Sequence, residues 1–85
     1  MSNKIVVIGS SNIDLIMKMD HLPEKGETVT DAKFTQTFGG KGANQAVGAA
    51  RAGGHVALVN CIGDDVHTSQ MLDNYALDGI DISYV

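Results

Sequence analysis

The sequence predicts an α/β fold: a parallel βαβαβ sheet with a small antiparallel β flap inserted after the first strand. Three observations carry this. Apolar, β-branched runs closed by glycine, Lys4–Gly9 and His55–Gly63, alternate with two stretches of helical period. Residues 13–38, between the first run and the first helix, switch to an alternation of period two. The run Ile80-Asp81-Ile82-Ser83-Tyr84-Val85 reads as a third strand. Strand, helix, strand, helix, strand implies right-handed crossovers and a parallel sheet.

The elements follow in order. Lys4-Ile5-Val6-Val7-Ile8-Gly9 reads as a strand buried on both faces. Ser10-Ser11-Asn12-Ile13-Asp14 is a polar turn at its C-terminal end. Ile13, Leu15, Met17 and Met19 then alternate with Asp14, Ile16, Lys18 and Asp20, as in a half-exposed strand. A loop follows with Pro23 and Gly26. Thr28–Thr30 and the alternation through Ala32, Phe34 and Phe38 supply one or two further flap strands, with Met17 and Met19 on the flap's apolar face.

The first helix opens at Gly39-Gly40-Lys41-Gly42. Its face Ala43, Ala46, Val47 and Ala50 is narrow and made of small residues, so it can lie close to a sheet. Gly53-Gly54 stop it. In the second helix Val66, Met71, Leu72, Tyr75 and Ala76 form an apolar stripe, with Asp64 or Asp65 as cap and Gly79 as stop.

Composition narrows the function classes. A net charge of −4 with six scattered Lys and Arg argues against a nucleic-acid surface. No apolar run approaches the ~20 residues of a membrane span, and the N-terminal apolar stretch is too short for a signal peptide. The single Cys61 has no internal disulfide partner, which points to the cytoplasm. Its apolar strand predicts an inert buried thiol. His21, His55 and His67 lack zinc-ligand spacing, so no metal site is expected in the chain.

The candidate site comes from topology. Ligands of open α/β sheets bind beyond the carboxyl ends of the strands. Gly9–Asp14 leaves that edge and Gly39–Asn44 returns from it, which gathers Asn12, Asp14, Lys41, Asn44 and several backbone N–H groups. A carboxylate beside amides and a lysine suits a polyhydroxylated ligand; a bare phosphate would be repelled by Asp14. The phosphate-loop pattern fails because Thr35 holds its first glycine position. The dinucleotide pattern fails at Gln45 and at Ser11. Read locally, Asp14 is also compatible with an exposed strand position, Lys41 with a solvated loop and Asn44 with a cap.

Gly9-Ser10-Ser11-Asn12-Ile13-Asp14, Pro23-Glu24-Lys25-Gly26-Glu27-Thr28, Phe38-Gly39-Gly40-Lys41-Gly42-Ala43-Asn44-Gln45-Ala46 and Gly63-Asp64-Asp65 together resemble the PfkB-type carbohydrate kinases, in their ribokinase branch. The resemblance runs through all 85 residues in order. It implies the N-terminal part of a ribokinase-like fold, residues 1–85, with lid strands at about 13–38 and the C-terminal catalytic part absent. The implied reaction is transfer of the γ-phosphoryl of ATP to the 5-hydroxyl of ribose.

The sugar-binding residues implied are Asn12, Ile13, Asp14, Gly39, Gly40, Lys41, Gly42, Ala43 and Asn44. The base aspartate and the sites for ATP, magnesium and potassium would lie in the missing part, leaving the 85-residue chain inactive by itself. The flap would be a lid and a homodimer contact. Val66-His67-Thr68-Ser69 departs from the aromatic and glycine that often follow Gly-Asp-Asp in the family. The alternatives are a stand-alone sugar- or polyol-binding module, or a related kinase for another sugar or nucleoside. A nucleotide-binding fragment is disfavoured by the failed phosphate motifs.

Overall fold

A computed structural model describes residues 4–85. The elements are β1 (Lys4–Ile8), β2 (Asn12–Lys18), β3 (Lys33–Gly39), α1 (Lys41–Arg51), β4 (His55–Val59), α2 (Thr68–Leu77) and β5 (Asp81–Tyr84). β1, β4 and β5 form a three-stranded parallel sheet in the order β1-β4-β5. β2 and β3 form a separate antiparallel ribbon, from Asn12 opposite Gly39 to Lys18 opposite Lys33. The α/β architecture with its flap is the one the sequence predicts.

Alternation in the parallel strands decides where the core sits. Ile5 lies beside Val56 and Val7 beside Leu58. Val56 and Leu58 join Ala43 and Ala46 of α1, Met71 and Tyr75 of α2, and Ile80 in one buried cluster. Both helices therefore cover the same face of the sheet. Burial of a side chain such as Leu58 is worth about 1.5–3 kcal/mol.

The other face carries Val6 beside Ala57 and Ile8 beside Val59. Ile8 is 80% exposed, and Val6 and Tyr84 are exposed as well. In this 85-residue chain β1 is therefore covered on one face only, because both helices pack on the same side. Ala57 is still shielded by its neighbouring strands.

Each helix ends by the same device. Gly53 N–H donates to Ala50 O and Gly54 N–H to Ala49 O; Gly79 N–H donates to Ala76 O and Ile80 N–H to Tyr75 O. These are paired Schellman bonds, and in the second the buried Ile80 follows the buried Tyr75. Arg51 Nε and Nη2 donate to Asp78 Oδ1 and Oδ2 at 3.1 and 3.3 Å, joining the two helix ends.

Two expected details differ. The second helix starts at Thr68, so Val66 precedes it and is 90% exposed instead of lying on the apolar stripe. Asp65 shapes the turn before the helix: its Oδ1 accepts from His67 N–H, while its own N–H donates to Thr68 Oγ1. The N-cap itself is His67. In the flap, Thr28–Thr30 is not a strand. β2 ends at Lys18, opposite Lys33, so earlier residues of the returning arm have no strand to pair with.

Candidate functional site

β1 hands the chain to the flap through Gly9–Ser11. Gly9 N–H donates to Val59 O, and Ser10 O accepts the N–H of Ala43 at 2.9 Å. The connecting loop is thereby tied to both β4 and the first turn of α1. Gly42 makes this approach feasible: a Cβ there would stand 2.6 Å from Gly9 Cα and carbonyl carbon.

Asn12 and Asp14 point to one face of β2, and Asn12 Nδ2 donates to Asp14 Oδ1 at 2.8 Å. Their partners across the ribbon are Gly39 and Thr37. A Cβ on Gly39 would lie 2.8 Å from Asp14 Oδ2, so the missing side chain is what gives these two groups room. Gly40 turns the chain into α1 at φ 103°, and a Cβ there would meet Ser11 Cα at 2.8 Å.

The outcome is a polar, solvent-facing patch. Both Asn12 and Asp14 are exposed. Asp14 Oδ2 and Asn12 Oδ1 have no hydrogen-bond partner among the described residues. The N–H groups of Lys41 and Gly42, at the positive end of the α1 dipole, also have no backbone acceptor among the described residues. Lys41 is exposed and Gly42 buried; a site drawing on such acceptors and donors can bind a ligand that both gives and takes hydrogen bonds, as hydroxyl groups do.

The remaining candidate positions are placed differently. Lys41 is exposed at the first position of α1 and forms no ion pair among the described residues. Ala43 is 2% exposed in the core, and its N–H is taken by Ser10, so it supports the loop from behind. Ile13 packs with Phe38 against the core from the opposite face of the flap. Asn44 is exposed, its N–H bound to Gly40 O, and it lines a groove with Phe38, Val47 and Tyr75. Its side chain is not bonded to Asn12 or Asp14.

One set of contacts had no signal in the sequence. Ser11 Oγ accepts from Tyr75 OH at 2.8 Å and also from Asn60 Nδ2. These partners lie 64 and 49 residues away, with no motif linking them. Asn60 Oδ1 is buried and has no hydrogen-bond partner among the described residues. Cys61 is exposed, contrary to the expected buried thiol, because β4 stops at Val59 and leaves it in the following loop. There it lines a cavity of about 250 Å³ with Ser11, Asn12 and Met71.

Two carboxylates away from this patch, Glu27 and Asp81, are held below their ordinary range. At the far end of the flap, the His21 ring and the Glu24 N–H hold Glu27 below its ordinary range. Bonds from the Ser83 hydroxyl and N–H lower Asp81.

Comparison with known proteins gives a consistent picture. Residues 2–85 match the family described as pfkB family carbohydrate kinase. The chain is 40% identical over 85 residues to a ribokinase of Haemophilus influenzae, covering 100% of this chain and 28% of that protein. It is 41% identical over 81 residues to a deoxyribokinase of Salmonella typhi, covering 95% of this chain and 26% of that protein. The structure of Arabidopsis thaliana ribokinase complexed with ribose and ATP superposes with a TM-score of 0.83 at 34% identity, covering all of this chain and 28% of that one. The chain thus spans little more than a quarter of the length of these relatives.

Proposed function

The chain belongs to the pfkB family of carbohydrate kinases, and from that premise we propose that it is the N-terminal, sugar-holding segment of a ribokinase. The reaction proposed is ATP-dependent phosphorylation of D-ribose at its 5-hydroxyl. One observation carries the assignment: Asn12 and Asp14, bonded to each other, face outward where Gly39 lacks a side chain.

Asp14 accepts hydrogens from sugar hydroxyls, and Asn12 both gives and takes. The free N–H groups of Lys41 and Gly42 donate to sugar oxygens. Lys41 and Asn44 approach the ligand as it fills the space between flap and helix. Ile13, Gly40 and Ala43 fix the frame behind these groups. With the sugar held at several hydroxyls, its terminal hydroxyl is presented in one orientation, which is the main contribution positioning makes to phosphoryl transfer.

The described residues contain no group of three or more His, Cys, Asp or Glu placed for a metal ion. Magnesium, potassium, ATP and the aspartate base that would take the hydroxyl proton are proposed to belong to sequence beyond this segment. The flap acts as a lid, and Leu15, Met17 and Phe34, apolar and exposed on it, are a homodimer contact. The cytoplasm suits a chain whose one cysteine has no internal partner.

The deoxyribokinase relative favours a second reading, in which 2-deoxyribose is the preferred substrate. Comparing kcat/KM for the two sugars in the full-length protein decides. Preference for ribose supports the first reading and preference for 2-deoxyribose the second. Failure to phosphorylate any pentose, hexose or nucleoside would overturn both.

A further inference from the structure

Ser11 stands between two anchored points. Before it, Ser10 O is bound to α1 through Ala43 N–H. After it, Asn12 begins the pairing of β2 with Gly39. Gly40 packs against its backbone, where even a Cβ would come within 2.8 Å of Ser11 Cα. The Ser11 hydroxyl is then held from below by Tyr75 OH of α2, at 2.8 Å, and by Asn60 Nδ2 just past β4.

Tyr75 is 2% exposed, and Ser11 is its hydroxyl's hydrogen-bond partner among the described residues. From this we infer that Tyr75, acting through Ser11, is a positioning residue for the ligand groups Asn12 and Asp14. α2 carries none of the proposed sugar contacts, yet its hydroxyl sets the start of the strand that presents them. The inference rests on the sugar-site reading above.

The test is a double-mutant cycle in the full-length protein. Tyr75→Phe removes one hydroxyl and keeps the ring in the core. It should raise the sugar KM about tenfold, within the range expected for one hydrogen bond. The KM for ATP and kcat should stay within about twofold. Ser11→Ala should do at least as much. The double variant should be no worse than Ser11→Ala, because both changes act through one hydroxyl.

An unchanged sugar KM in Tyr75→Phe, a parallel rise in the KM for ATP, or additive effects in the cycle would overturn the inference. If Ser11→Ala does not fold, Tyr75→Phe decides alone. If the wild-type protein phosphorylates no sugar, the sugar reading fails, and the coupling is read from backbone amide NMR of Tyr75→Phe. Shifts at Asn12 and Asp14 support it, and unmoved resonances there reject it.

Discussion

Asn12 donates its side-chain amide to Asp14 Oδ1 at 2.8 Å, two residues along one face of β2. The bond leaves one oxygen of each group free of protein partners among the described residues. It holds the carboxylate in place before any ligand arrives. Asn12→Ala should therefore weaken sugar binding indirectly as well as directly, by releasing Asp14. A sugar affinity lowered about tenfold or more, with a thermal midpoint close to wild type, is the expected result from calorimetry and a melting scan.

Gly39 and Gly42 offer a contrast. A Cβ on Gly42 would meet the Gly9 backbone at 2.6 Å, where neither side can yield without moving α1. Gly42→Ala should cost about 1–3 kcal/mol of stability, as overpacking does, measured by denaturant unfolding. A Cβ on Gly39 meets the Asp14 side chain, which can swing away. Gly39→Ala should lower sugar affinity with a smaller loss of stability.

The large features of this molecule were legible because they are local. Alternation in Ile13–Phe38 announced the flap, and the small-residue face of Ala43 and Ala46 announced a helix lying close to a sheet. The glycine loop and Asn12–Asp14 were legible as a pair because topology sends both to one sheet edge. Other features depend on what packs where. Whether β1 is covered on one face or two depends on what packs against the sheet, which no pattern within Lys4–Ile8 encodes. The exposure of Cys61 turned on a strand ending at Val59 in an apolar run that continues to Ile62. The Tyr75–Ser11 bond joins residues 64 apart and left no periodic trace.

At the tip of the flap, Glu27 titrates below its ordinary 4.5 because the His21 ring and Glu24 N–H stabilise the carboxylate. A depressed folded-state value means the stabilisation is present above the unfolded pKa and is lost as pH falls through the folded one. The turn should loosen only under acid conditions below pH 4.5. In carboxyl-carbon NMR titration, His21→Ala should bring Glu27 back up toward its ordinary value.

The bare sheet face predicts the behaviour of the 85-residue chain by itself. Val6, Ile8 and Tyr84 are exposed, and a parallel sheet ordinarily needs cover on both faces. The chain should melt at low temperature or self-associate, as followed by circular dichroism and sedimentation. A cooperative monomeric transition above ~60 °C would contradict this.

Calorimetric titration of ribose into the full-length protein and its Asp14→Ala variant reads the part Asp14 plays in holding the sugar. Asp14 is exposed and outside the core, so the variant should keep its fold. The wild-type protein should give heat of binding and Asp14→Ala should lose measurable ribose affinity, with nucleotide binding retained. Equal ribose affinity in the two proteins would contradict that role for Asp14.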